Sequence, residues 1–168
     1  MNRIWSLTNW KSNPILNQKS KKSGIRLRFD QGINPDLRME CLNFIHWLRK
    51  QYCFPVRVTI YVKNQRRIKA KDGELVCGTF WMPFDYSKEP HIRIATGDYA
   101  EMCSKKGRKY GLYQILWCFA HELTHYFQWL NNINLSLIGE ERQASRIASF
   151  VLEQYADTKD DLWWSGMT

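Results

Sequence analysis

LYQILWCFAHELTHYFQWL, residues 112–130, is the stretch whose reading decides the fold. Leu112, Ile115, Leu116, Trp117, Phe119, Ala120, Leu123, Phe127, Trp129 and Leu130 make it apolar almost all the way round. A helix of that kind is buried on several sides. Asn131-Asn132 ends it. Two histidines and a glutamate inside such a helix are costly unless they have partners. They read His121-Glu122-Leu123-Thr124-His125, the pattern H-E-x-x-H. Residues four apart share one helix face. Two imidazoles so placed can hold one tetrahedral Zn²⁺, whose bound water loses a proton near neutral pH. Glu122 lies one residue round from His121 and can take that proton, the chemistry of a zinc peptidase. Two core histidines satisfied by hydrogen bonds are the alternative, but they would leave the buried Glu122 without a partner.

A catalytic zinc usually has three protein ligands and an open fourth position. The chain has four histidines, at 46, 91, 121 and 125, and none follows His125. The longer pattern with a third histidine would need Gly at 128 and His at 131, where Gln128 and Asn131 stand. A downstream carboxylate is therefore expected as third ligand. Glu140 and Glu141 are the candidates, at the start of a final helix running from about 137–140 to 157. Ala144, Ile147, Ala148, Val151 and Tyr155 form its dry face, and Arg142, Arg146, Ser149 and Glu153 its wet one. The two glutamates flank the dry face on opposite sides, so helix phase does not choose between them.

Working outward, Asn34-Pro35 is a helix start, a capping residue followed by Pro at the first helical position. Leu37, Cys41, Phe44/Ile45, Leu48 and Tyr52 recur at helical spacing and predict a helix over about 35–52. Val56, Val58, Ile60 and Val62 alternate with Arg57, Thr59 and Tyr61, a strand with one buried face. Asp72-Gly73 signals a turn. Leu75 to Met82 is a second strand, in which Gly78 marks a bulge or a close backbone approach. His91 to Ala95 is a third, and Lys105 to Tyr110 reads as a basic loop. The expected fold is α+β: a small three-stranded or larger mixed sheet against the motif helix and a C-terminal helix carrying the glutamate.

The 168 residues suit one domain, read as residues 29–168, preceded by a basic N-terminal arm at 1–28. Lys and Arg number 25 against 16 Asp and Glu, a formal charge of +9. No acidic residue precedes Asp30, whereas Arg3, Lys11, Lys19, Lys21, Lys22, Arg26 and Arg28 do. Such an arm favours polyanions, nucleic acid among them, or acidic proteins. Trp5 and Trp10 are its expected anchors, and Trp163-Trp164 in the tail an exposed pair for docking or partner binding. Five cysteines, at 41, 53, 77, 103 and 118, contain no C-x-x-C. Reduced thiols and a cytoplasmic location fit this count better than a disulfide framework. No apolar run reaches the length of a signal peptide or a membrane span.

H-E-x-x-H followed by a Glu on a second helix resembles the gluzincin peptidases. In that group the second helix often reads E-x-x-A-D, its Glu binding zinc and its Asp supporting a zinc-bound histidine. Glu141-Arg142-Gln143-Ala144-Ser145 matches the Glu and the Ala, which selects Glu141 as ligand, while Ser145 stands where Asp is usual. The short spacing is similar to the compact ImmA/IrrE family of bacteria and their phages. The resemblance implies that His91–Ala95 is a sheet edge receiving the substrate as an added strand. It implies an oxyanion-stabilising group as well, with Tyr126, Tyr155 and His46 as candidates. The motif stretch is also similar to SprT-like proteases, which use a third histidine and a zinc ribbon that this chain lacks. The expected function is a zinc-dependent endopeptidase with a specific intracellular protein as substrate. His121, His125 and Glu141 would bind Zn²⁺, and Glu122 would act as general base. The alternative is a basic module binding nucleic acid or an acidic protein, with a non-catalytic zinc site.

Overall fold

The computed structural model describes Trp5, residues 22–84 and residues 88–160. The other residues of the basic arm, Trp10 included, and the Trp163-Trp164 pair lie outside the described residues. In chain order the elements are β1 (Ile25–Phe29), α1 (Pro35–Gln51), β2 (Val58–Lys63), β3 (Ile68–Lys69), β4 (Leu75–Val76), β5 (Gly78–Trp81), β6 (His91–Ala95), α2 (Tyr99–Lys106), α3 (Arg108–Leu130) and α4 (Leu137–Ala156). The architecture is α+β. A four-stranded mixed sheet of order β1-β2-β6-β5 is accompanied by a small β3-β4 hairpin.

Strand β2 is central because its alternation is strongest. Val58, Ile60 and Val62 are fully buried, and Tyr61 faces out. It pairs in parallel with β1 on one side and β6 on the other, Ile60 lying opposite Leu27 and Ile92. Strand β5 adds antiparallel to β6, with Phe80 opposite Ile92.

Helix α1 begins as its sequence predicts. Asn34 Oδ1 accepts from the backbone N–H groups of Asp36 and Leu37, with Pro35 at the first turn. Helix α4 is capped by Ser136, whose hydroxyl accepts from Gly139 N–H. Its expected dry residues, Ala144, Ile147, Ala148, Val151 and Tyr155, are all buried. The wet face holds for Arg142, Arg146 and Glu153; Ser149 is half-buried.

Helix α3 packs against α4, α2, α1 and strands β5 and β6, so it runs through the middle of the molecule. Phe119, Ala120, Leu123, Tyr126 and Phe127 have no exposed surface. Each buried side chain of the size of Phe119 contributes roughly 1.5–3 kcal/mol. Trp5 completes this core from the far end of the chain. Its ring stacks on Phe127 at 4.9 Å and meets Tyr52 edge-on at 4.8 Å. Its indole N–H donates to Thr124 Oγ1 over 3.1 Å, so the expected anchoring at Trp5 holds.

Four expectations need correction. Ile25–Phe29, placed mostly in the basic arm, is strand β1: Ile25 is buried, and the intervening Arg26 and Arg28 sit on its other face. The run from Leu75 to Met82 divides at Cys77, its first part closing the hairpin and its second joining the main sheet. The basic stretch 105–110 is not a loop. It ends α2 and begins α3, and the break falls at Gly107, whose φ of 87° suits a residue without a side chain. Finally, His91–Ala95 is not an edge. Strand β6 has neighbours on both sides, because β5 folds back outside it.

Candidate metal centre

The motif lies in the second half of α3, where the helix meets the start of α4. One turn of helix sets the His121 and His125 rings 4.9 Å apart at 80° to each other. Trp117, one turn earlier, lies against His121 at 5.0 Å. Its indole N–H donates to Ser149 Oγ on α4 (3.2 Å), which fixes the aromatic wall behind the imidazole.

Glu141, in the first turns of α4, reaches both rings. Its Oε2 is 3.1 Å from His121 Nε2, and its Oε1 is 3.2 Å from His125 Nε2. The two Nε2 atoms are 3.3 Å apart. Four ligands at about 2.0–2.1 Å from a tetrahedral zinc are separated by roughly 3.3 Å. The three donors thus already stand near the corners of one face of such a tetrahedron. Glu140 does not join them; its backbone carbonyl accepts a hydrogen bond from Gln128 instead.

Gln128 is the part of the site that the sequence reading passed over. It is buried, and its Oε1 is 2.7 Å from His125 Nδ1. Its Nε2 donates to Glu140 O at 3.0 Å and to Gln143 Oε1 at 2.9 Å. With the amide NH₂ so used, Oε1 accepts from His125 Nδ1–H. That proton placement leaves the Nε2 lone pair aimed at Glu141 and His121, as a metal ligand requires. The residue at 145, expected to support a histidine, does not do so. His125 Nδ1 is taken by Gln128, and His121 Nδ1 is buried without a hydrogen-bond partner among the described residues. A polar residue three positions after His125 in an otherwise apolar helix was the available signal for Gln128.

Burial disfavours a proton on His121. Burial, and then repulsion from His125, lowers the His121 pKa despite the nearby Glu141. The His121 and His125 side chains are 12% and 15% exposed, and that of Glu141 is 62% exposed. Imidazole nitrogens and a carboxylate converging on one point form a donor set suited to zinc and similar divalent ions. His121, His125 and Glu141 can therefore hold a metal ion; their donor atoms all lie within 4.8 Å of one another.

Glu122 is buried beside them. Desolvation, with smaller contributions from Cys77 and Glu141, pushes its carboxyl up to about 8. A bound dication would pull it back toward the carboxylate. Strand β5 passes directly over it: a Cβ on Gly78 would lie 3.0 Å from Glu122 Cγ and Oε1. This is the close backbone approach expected of Gly78.

The cleft in front of these groups is walled by Phe80 and Trp81 of β5, Trp117 and Trp129 of α3, and the β3-β4 hairpin. Tyr126, Tyr155 and His46 do not line it. Tyr126 is buried with its hydroxyl donating to Val56 O, Tyr155 packs edge-on against Phe44, and His46 is exposed on α1. His91 stacks on Trp81 at 5.0 Å, a packing contact.

Comparison with family models, curated proteins and solved structures finds no match. The case for function therefore stands on this geometry. Among the described residues no helix is long and apolar enough to cross a membrane.

Proposed function

We propose that the protein is a zinc-dependent peptidase of the gluzincin type. The observation that carries this reading is the convergence of His121 Nε2, His125 Nε2 and the Glu141 carboxylate, 3.1–3.3 Å from one another, beside a buried Glu122 in an open cleft. His121, His125 and Glu141 would hold the ion. Zinc so bound supplies Lewis acidity, acidifying a water and polarising a peptide carbonyl.

The remaining chemistry belongs to the chain. Glu122 accepts a proton from the attacking water and delivers it to the departing amine. Its buried position makes it a proton carrier that works near neutral pH. Gln128 and Trp117 position the two imidazoles. The outer edge of β5 is the sheet edge nearest the cleft, and it suits an extended peptide added as a further strand. The substrate is a protein segment able to enter in extended form.

The test is zinc-loaded protein incubated with a degenerate peptide library, with new amino termini read by mass spectrometry. Wild type generates new termini. Glu122→Gln retains the zinc and loses cleavage by at least a hundredfold, a general-base contribution being about 10²–10⁴. No new termini from zinc-loaded wild type, or undiminished cleavage by the variant, overturns the reading.

A further inference from the structure

Cys77 stands in the wall of the cleft with Cys118 behind it, and neither takes part in the chemistry above. Cys77 is exposed at the junction of β4 and β5, and Cys118 is buried on α3, one turn before Glu122. Their sulfurs are 2.9 Å apart. That is shorter than the ordinary approach of non-bonded heavy atoms, about 3.5–4.0 Å. An S–S bond at about 2.05 Å needs less than about 1 Å of further closure.

The approach is built into the backbone. Gly78 follows Cys77, and a Cβ there would lie 3.1 Å from Cys118 Sγ. With no side chain at 78, the strand lies directly on the helix, which brings the neighbouring sulfurs together. The backbone of Cys77 is held by the sheet, its carbonyl accepting from Ala95 N–H at 2.8 Å.

We propose that Cys77 and Cys118 are a redox-sensitive dithiol that closes to a disulfide joining the start of β5 to α3. The surroundings favour this chemistry. The Cys118 thiol donates to Cys77, and with help from the Arg67 guanidinium it lowers the Cys77 thiol to about 7 despite partial burial. Arg67 is itself held by Asp98 at 2.8 Å. An accessible, acidic thiol next to a buried partner is the arrangement of an attacking and a resolving cysteine.

The oxidant is hydrogen peroxide. The Cys77 thiolate attacks one oxygen, the O–O bond breaks, the sulfur keeps that hydroxyl as a sulfenic acid, and the other oxygen leaves as hydroxide, which takes up the proton released by the Cys77 thiol and becomes the first water. Cys118 sulfur then attacks the sulfenic sulfur. The S–S bond forms, the S–O bond breaks, and the Cys118 proton departs with hydroxide as the second water. Two electrons pass from the sulfur pair to the peroxide. The bond would clamp the cleft wall one helical turn from Glu122 and reopen with a dithiol. The pairing stands whether or not the cleft cleaves peptides.

The test treats the folded full-length protein with hydrogen peroxide, blocks the remaining thiols with iodoacetamide, and maps crosslinks by mass spectrometry. The expected result is the loss of two hydrogen atoms, one crosslinked pair of peptides carrying Cys77 and Cys118, and reversal by dithiothreitol. Cys118→Ser stops at a sulfenic acid on Cys77 that dimedone traps. Cys77→Ser, altered at an exposed position, forms no crosslink and provides the control should the buried variant fail to fold. Five free thiols after treatment, a crosslink between other cysteines, or oxidation of wild-type Cys77 without pairing overturns the proposal.

Discussion

At the scale of single residues, the site depends on where protons sit. Gln128 holds the His125 proton on Nδ1 through a 2.7 Å contact and so frees Nε2 for a cation. Gln128→Ala removes that constraint without touching a donor atom. Losing such a support weakens metal affinity by about 10–100-fold, and a zinc titration against a competing chelator measures it. An unchanged affinity would mean that Gln128 only fills space. Glu122 gives a prediction for the metal-free protein. A carboxyl whose folded-state pKa is raised holds its proton more tightly in the folded chain. Its contribution is therefore full below the ordinary carboxyl range and is lost as pH rises toward about 8. Metal-free Glu122→Gln has no such loss. It should melt higher than metal-free wild type at pH 8, by the equivalent of a few kcal/mol on the order-of-magnitude scale of the shift, with the gap narrowing toward pH 5. Parallel melting curves across that range would contradict the burial argument.

At the scale of elements, close packing of β5 on α3 is the feature that shapes the cleft. Gly78→Val forces a branched side chain into space already held by Glu122 and Cys118. Overpacking of that kind costs about 1–3 kcal/mol. A urea titration of the metal-free protein should show the loss, and an undisturbed midpoint would show that the strand has room to move. The same elements show what a sequence can disclose. Helices α1, α3 and α4 were legible because periodicity and caps are local: Asn34 and the apolar faces lie within a few residues of what they control. Strand β1 was not, because Arg26 and Arg28 drew attention to charge while Ile25, Leu27 and Phe29 alternated beneath them. Helix α2 was hidden for a similar reason, since Tyr99 is its one buried residue and lysines close it. Strand order was out of reach: which side of β6 receives β5 depends on how the chain returns after Pro90, and no neighbouring residue encodes that. His121 and His125 followed from helical spacing alone. Glu141 over Glu140 needed a resemblance, because it depends on how α4 is rotated against α3.

At the scale of the whole molecule, the candidate metal site joins elements from across the core. His121 and His125 sit on the central helix, Glu141 on the last one, and Trp5 docks behind the motif through Thr124. Trp5→Ala leaves a large cavity against Phe127 and Tyr52, and truncations of this kind cost about 3–5 kcal/mol. Denaturant unfolding of the variant would check it, and a loss within experimental scatter would mean that the arm is not part of the core. An ion shared by α3 and α4 binds the folded chain far better than the unfolded one. At a hundredfold excess over its dissociation constant it should add about 2.7 kcal/mol of stability, visible as a rising melting temperature and reversed by chelation. The account rests most directly on metal content. After equilibrium dialysis against zinc, wild type should hold one ion per chain by elemental analysis, and His125→Ala and Glu141→Ala should hold far less. Wild type without zinc, or variants that keep as much as wild type, would contradict it.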